Sequence, residues 1–207
     1  MGDLPMTRRR QSDARQAAIR AAVQRASGIA FEHAPSRVAS AQDAAAFHRF
    51  LSDPDIHGPI YNLPRPLTVE SVGAFIARKL EAQSRGEGLL FLRFDEAGEV
   101  LGYSEFDIWP VWGAGDLGGA LRRDQQGARS GVNGAKLSFD WMFETLGLEL
   151  IVATGALDNV RTARMLDGLG FARKGEITST REDGSTRPSI VWEVTRAEWR
   201  LAHPAEP

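Results

Sequence analysis

Between Gly127 and Ser138 the chain reads GARSGVNGAKLS, three glycines and an arginine immediately ahead of a helical pattern. Glycines let successive backbone N–H groups converge, and a helix N-terminus presents four unpaired donors with a favourable dipole, so this order of residues suits an anion. Each interaction of charge with the dipole contributes roughly 0.3–1 kcal/mol, and several N–H bonds together with Arg129 could hold a pyrophosphate. Two nucleotide-binding patterns fail on spacing. A Walker loop needs Gly, four residues, then Gly-Lys-Ser/Thr, but Val132 stands five residues after Gly127 and Lys136 five after Gly131. A dinucleotide fingerprint needs glycine where Arg129 stands. At this point a tight strand-to-helix turn explains the glycines equally well.

A second group lies on GYSEFDIW. Strand alternation puts Tyr103, Glu105, Asp107 and Trp109 on one face, where a carboxylate could accept a proton. That face could also be merely wet, as one side of an antiparallel sheet often is. The chain has no cysteine, which excludes disulfides, thiolate metal sites and acyl-cysteine chemistry and is compatible with a cytoplasmic location. Its histidines, His33, His48, His57 and His203, show no metal-ligand spacing, and no metal is expected. A formal net charge of -2 over 207 residues offers no field for nucleic acid. No stretch of 18 apolar residues could span a membrane.

The elements that position these groups follow from periodicity. Residues 1–28 carry six arginines, Arg8, Arg9, Arg10, Arg15, Arg20 and Arg25, in an alanine-rich run that favours helix. This extension reads as a self-packing or frayed helix rather than a nucleic-acid arm or transit peptide. A strand near Ile29 to Glu32 precedes a capping box, Ser40 with Asp43, and a first helix ending near Leu51. Ser52 to Leu67 holds four prolines and reads as a long ordered loop. Thr68 caps a second helix with Val69, Val72, Ile76 and Leu80 on one face. Strands follow at Leu89 to Phe94, Glu99 to Trp109 and Leu117 to Arg123.

From Val132 the apolar positions Ala135, Phe139, Met142, Phe143 and Leu146 mark one helical face, stopped by Gly147. LELIVAT, Leu148 to Thr154, is a short buried strand, completing a βαβ unit. Asp158 or Asn159 caps the next helix, and Gly170 ends it. A hairpin, Gly175 to Arg181 with Ser189 to Thr195, closes the sheet before a short helix capped by Thr195 and Glu198. The body, 29–202, is expected to be one domain, with 203–207 a tail.

The runs QGARSGVNGAKLSFDWMFETLGLELI and DNVRTARMLDGLGF, one strand apart, resemble the GNAT acetyltransferase superfamily, and within it the branch of ribosomal-protein N-terminal acetyltransferases. The likeness extends from about Val100 to Trp199. Gln126-Gly127-Ala128-Arg129-Ser130-Gly131 matches the family's coenzyme A pyrophosphate loop, with Arg129 in place of the middle glycine. Ser130-Gly131-Val132-Asn133 with Lys136 matches a variant of that loop.

The resemblance implies an α/β (α+β) fold, a mixed and mostly antiparallel sheet splayed between its fourth and fifth strands and flanked by helices. Acetyl-CoA enters the gap, its pyrophosphate meeting residues Gln126 to Gly131 and Asn133, its pantetheine meeting Asn159. The implied activity is acyl transfer to a primary amine, on a protein N-terminus or a small molecule. The family's usual proton donor, a tyrosine seven residues after the asparagine, is Leu166 here, and the branch's substitute hydroxyl is Thr162. Glu105 is the expected base, acting through water. In the family the proline-rich loop borders the acceptor pocket, which makes His57 and Tyr61 acceptor-side candidates, with ordinary solvated loop residues the favoured reading of the pair; Tyr103 and Asp107, on the Glu105 face, are the other acceptor-side candidates. Without cysteine the amine must attack the thioester directly in a ternary complex. An α-amine, with a pKa of roughly 8 against 10.4 for lysine, needs about 3 kcal/mol less to deprotonate at pH 7. The alternatives are a coenzyme A binding protein without chemistry, and a module that binds nucleic acid or a partner through its basic N-terminus. Oligomeric state is left open, a homodimer included.

Overall fold

A computed structural model describes residues 4–31, 34–126, 130–181 and 183–204. Seven strands form one sheet in the order β1-β2-β3-β4-β5-β7-β6, with β1 Ser36–Val38, β2 Gly88–Phe94, β3 Val100–Trp109, β4 Ala114–Leu121, β5 Leu150–Ala156, β6 Ala172–Thr180 and β7 Thr186–Thr195. Every neighbouring pair is antiparallel except β4 with β5. The helices are α1 Asp13–Arg25, α2 Ala44–Leu51, α3 Pro54–His57, α4 Val69–Arg85, α5 Ser130–Glu144, α6 Val160–Gly168 and α7 Arg196–Ala202. This is the GNAT fold implied by the resemblance.

Alternation along β2 divides the core. Leu89 and Phe91 face one side with Phe106, Ile108 and the apolar stripe of α5, Phe139, Met142, Phe143 and Leu146. Leu90 and Leu92 face the other, where Phe47 and Phe50 of α2 and Val72, Phe75 and Ile76 of α4 cover them. A strand contributes to both faces because its side chains alternate with period two. Glu105 pairs with Leu90 and Asp107 with Gly88, so both carboxylates lie on the α2/α4 side of the sheet.

The N-terminal helix is seated on the core rather than held apart. Ile19 and Val23, one turn apart, are buried among β2 and α5 residues. Two of its arginines are occupied within the chain: Arg15 pairs with Glu149 at 2.8 Å and Arg20 with Glu87 at 2.6 Å. At Gly86 the C-cap of α4 takes φ 72°, and a Cβ there would meet Cα of Arg20 at 2.6 Å. Glycine both ends α4 and admits α1.

Several boundaries differ from the periodicity. The first described strand is Ser36–Val38; of the expected strand, Ile29 to Phe31 are not in a strand and Glu32 lies outside the described residues. The Ser36 N–H donates to the Ile29 carbonyl at 3.0 Å, so Ile29 enters the core from the approach to β1. The proline-rich loop carries one helical turn, α3, opened by Pro54 and capped by Asp53. β4 begins three residues earlier than Leu117, because Ala114, Gly115 and Asp116 find partners on β5 that lie far away in sequence. The expected capping boxes at Ser40/Asp43 and Thr195/Glu198 are present. No helix among the described residues is long and apolar enough to cross a membrane.

Candidate active site

The parallel pair β4 and β5 is joined only over Ala114–Leu150, Gly115–Ile151 and Asp116–Val152. Beyond that register β4 continues to Leu121 and β5 to Ala156 without pairing to each other, so the sheet parts into a wedge. A cavity of about 960 Å³ occupies it, lined on one side by Leu117 to Leu121 and on the other by Ala153 to Ala156. Unpaired backbone at the wedge mouth offers N–H and C=O groups to an extended, amide-bearing ligand.

Three elements close the wedge. Gly131 and Gly134 on the first turns of α5 line it, and Gln126 lines it just before that helix. Gly127, Ala128 and Arg129, the centre of the expected pyrophosphate loop, lie outside the described residues; Ser130 begins α5. Asn133 is exposed and is not part of the cavity wall, and Lys136 pairs with Asp140 one turn along at 3.3 Å. Arg161 supplies a cation that the loop pattern did not single out. Its Nη1 reaches Gln126 Oε1 at 3.4 Å, and its Nη2 lies 3.9 Å from where a Cβ on Gly131 would stand. The signal was present in DNVRT, one residue before Thr162, but only packing of α6 beside α5 turns it to this end.

Asn159 is the N-cap of α6, its Oδ1 accepting from the Thr162 N–H at 3.0 Å. That bond leaves the two Nδ2 donors, and Asn159 lines the cavity. Capping and ligand recognition therefore use different atoms. Thr162 lines the same wall, one turn from Leu166, which is buried at 1% exposure and touches both cavity and core.

The other end of the cavity is ionised. Tyr103, Glu105, Asp107 and Trp109 all line it, joined by Asp116, which stands directly opposite Asp107 across the β3–β4 pair. Directly opposed strand residues have Cβ atoms about 4.5–5.5 Å apart, so the three carboxylates form one group. Lys79, on α4, is their cation: Nζ lies 2.6 Å from Glu105 Oε1 and 2.7 Å from Asp107 Oδ1. Asn62 Nδ2 donates to Glu105 Oε2 at 2.8 Å. Both oxygens of Glu105, which is only 3% exposed, are thus held.

Burial pushes the Glu105 carboxyl up, Lys79 pulls it down and Asp107 pushes it up again, leaving it raised. Asp116 is pushed up to about 7 by burial and by the charges of Asp107 and Glu105. Burial of Lys79 works against its charge, but the two carboxylates outweigh that and raise it. The Tyr103 hydroxyl is buried without a hydrogen-bond partner among the described residues, its ring packed edge-on to Phe47 at 5.1 Å, and burial raises it well above its ordinary value. Of the loop residues, Tyr61 lines the cavity, whereas His57 stands behind it on α3. Sequence reading missed Lys79, Asn62 and Asp116.

The wedge, its glycine-lined helix end with Arg161, and the free amide of Asn159 fit acetyl-CoA, whose thioester end would lie toward the carboxylate group. The acetyltransferase (GNAT) domain family matches residues 37–172. Solved structures share the fold. The ribosomal-protein-S5-alanine acetyltransferase from Vibrio fischeri aligns with TM-score 0.68 and 21% identity over 84% of this chain and 99% of that one. RimJ from Mycobacterium smegmatis, in complex with CoA-disulfide, aligns with TM-score 0.67 and 19% identity over 84% and 85%. A GCN5-related N-acetyltransferase from Brucella melitensis gives 0.67 and 17% over 84% and 81%. No curated protein matches the sequence.

Proposed function

The chain belongs to the GNAT acetyltransferase family, and from that premise we propose that it moves acetyl from acetyl-CoA directly onto a peptide N-terminal α-amine in a ternary complex. The observation that carries this reading is the wedge after Asp116 and Val152, with Asn159 and Thr162 on one wall and a proton-accepting carboxylate group at its inner end. Acetyl-CoA supplies the activated acyl carbon: the amine nitrogen bonds to it, the carbon–sulfur bond breaks, the amine gives up a proton and the thiolate takes one.

Each part of the chain has a task in that exchange. Gln126, Gly131 and Arg161, with Gly127, Ala128 and Arg129, hold the pyrophosphate, and the Asn159 amide donates to pantetheine. Asp116 takes the amine proton. Glu105, the base expected from the strand alternation, is already bonded to Lys79 and Asn62, so its part is to hold the Asp116 proton affinity up. The Thr162 hydroxyl returns a proton to the thiolate. Leu166 leaves no tyrosine to do so.

The direct test is thiol release from acetyl-CoA with a panel of amines, read without background because the chain has no cysteine. Release with α-amines supports the reading; binding of acetyl-CoA without release on any amine overturns it in favour of a binding protein. Thr162→Val is expected to reduce kcat about tenfold to a hundredfold with coenzyme A affinity unchanged, as for loss of a general acid. Unchanged turnover would remove Thr162 from the chemistry.

Asn159 permits a cleaner separation. Asn159→Asp keeps a capping oxygen but loses the amide donors, so coenzyme A affinity should fall about tenfold with the thermal midpoint preserved. Asn159→Ala should lose both, with about 1 kcal/mol of stability. Calorimetric binding and thermal melts of the pair check this; equal affinity for Asn159→Asp and the parent would make Asn159 a cap alone.

A further inference from the structure

Among the described residues one group of cations stands at the cavity rim without a counter-charge; Glu182, next to Arg181 in the chain, lies outside them. Arg65 lies on the loop between α3 and α4, and Arg181 and Arg187 flank the turn between β6 and β7. The guanidinium carbons of Arg181 and Arg187 each sit 4.2 Å from the centroid of the Tyr61 ring. Arg65 donates to the His57 carbonyl at 3.1 Å, and Arg187 to the Pro59 carbonyl at 3.1 Å. Yet the buried Nε atoms of Arg65, Arg181 and Arg187, and Nε2 of His57, have no hydrogen-bond partner among the described residues.

Among the described residues no carboxylate comes within ion-pair distance of these three arginines. Asp183 and Asp158 act on them only from further off. Burial lowers His57, and Arg65 and Arg181 lower it further, which is the response of an imidazole to neighbouring positive charge. Three guanidiniums that crowd His57 and Tyr61, with no carboxylate of the described residues in ion-pair reach, are unfavourable until an anion bridges them.

The position ties this group to the acyl site. Tyr61 and Arg187 line the cavity, and Asn62, the next residue after Tyr61, is bonded to Glu105. Consecutive Cα atoms are about 3.8 Å apart, so the cationic rim begins roughly one residue outward from the proton-accepting group. The cavity is therefore polarised: acidic where an amine must arrive, cationic where the rest of the acceptor leaves.

We infer that Arg65, Arg181 and Arg187 bind an anionic side chain, a carboxylate or a phosphate, within the first few residues of the acceptor peptide. This rests on the acyl-transfer reading and names the acceptor class for it. The planar guanidinium forks suit either oxyanion.

The experiment compares kcat/KM for Ala-Glu-Glu-Ala-amide, its phosphoserine counterpart and the neutral Ala-Gln-Gln-Ala-amide. At least a tenfold preference for the anionic peptides, carried by KM and shrinking with salt, is expected; whichever anionic arm leads identifies the source. The double variant Arg181→Gln/Arg187→Gln should bring the anionic peptides to the neutral level. Unchanged kcat/KM on the neutral peptide shows that the variant is folded. Equal rates on all three peptides, or a preference that survives the double variant, overturns the inference while leaving acetyl transfer standing. Calorimetric binding of N-acetyl-Ala-Glu-Glu-Ala-amide, which has no reactive amine, reads the rim alone. Binding that depends on the arginines without turnover of any peptide would support the rim and overturn acetyl transfer; neither binding nor turnover would overturn both.

Discussion

Asp116→Asn is expected to lower kcat by about 10²–10⁴, the range for loss of a general base, and to make the folded protein more stable at pH 8. Three things single out Asp116. It faces the cavity where β4 and β5 separate, it stands opposite Asp107, and among the described residues no ion pair or side-chain donor holds it, only the Leu117 backbone N–H, whereas Glu105 and Asp107 are both bonded to Lys79. With a pKa of about 7 it is half ionised at neutral pH and can take a proton from an α-amine of pKa roughly 8. In the parent, kcat at saturating acceptor should fall tenfold per pH unit below about 7. In Asp116→Asn that limb should disappear.

The stability sign follows from the same shift. The folded pKa exceeds the unfolded value of roughly 3.9, so between about 4 and 7 the folded state binds the extra proton and stability falls as pH rises. Above 7 the full penalty is present, at most about 4 kcal/mol and reduced by the carboxyl's partial exposure to the cavity. Asparagine removes it, so the melting temperature of Asp116→Asn should exceed that of the parent at pH 8 and match it near pH 4. Gain of stability with loss of rate is the mark of a group kept ionisable for chemistry. An unchanged kcat profile would return the role to Glu105.

The sequence carried the local parts of this site and not the tertiary ones. Gly131, Asn159 and Thr162 belong to short runs whose order alone implies a loop, a cap and a helix. The shared face of Tyr103, Glu105 and Asp107 needs only strand periodicity, and all three line the cavity. Asp116 in GDLGG was passed over, because its meaning depends on which strand lies opposite and in what register. Lys79 stands seven residues after Val72 and three after Ile76, so periodicity puts it on the buried stripe of α4 and Arg78 on the opposite face; that local signal was present and was passed over. Its side chain falls to 11% exposure when α4 packs across β2 and β3. The rim arginines were missed because residues 65, 181 and 187 converge only through the fold. The alanine-rich α1 is seated by two buried side chains, Ile19 and Val23, while two of its three arginines, Arg15 and Arg20, are drawn into ion pairs that only the fold brings within reach.

Lys79→Met should be the most destabilising single substitution at this site, by about 3–5 kcal/mol at pH 8, because it leaves two carboxylates, one almost fully buried, without their cation. The loss should depend on pH in a definite direction. Lys79 pulls the raised Glu105 carboxyl down, so its removal lets that carboxyl rise further. Between the unfolded value of roughly 4.3 and the elevated folded one, Glu105 is neutral in the native state and the penalty fades. Chemical denaturation of Lys79→Met should therefore show a deficit that is large at pH 8 and much smaller near pH 5. Adding Glu105→Gln should recover most of it, since the amide needs no counter-charge and can still accept from Asn62. A deficit that is equal at both pH values would mean that Lys79 contributes through packing and through its ammonium over the Phe75 ring, 5.9 Å from the centroid, rather than by neutralising the carboxylates.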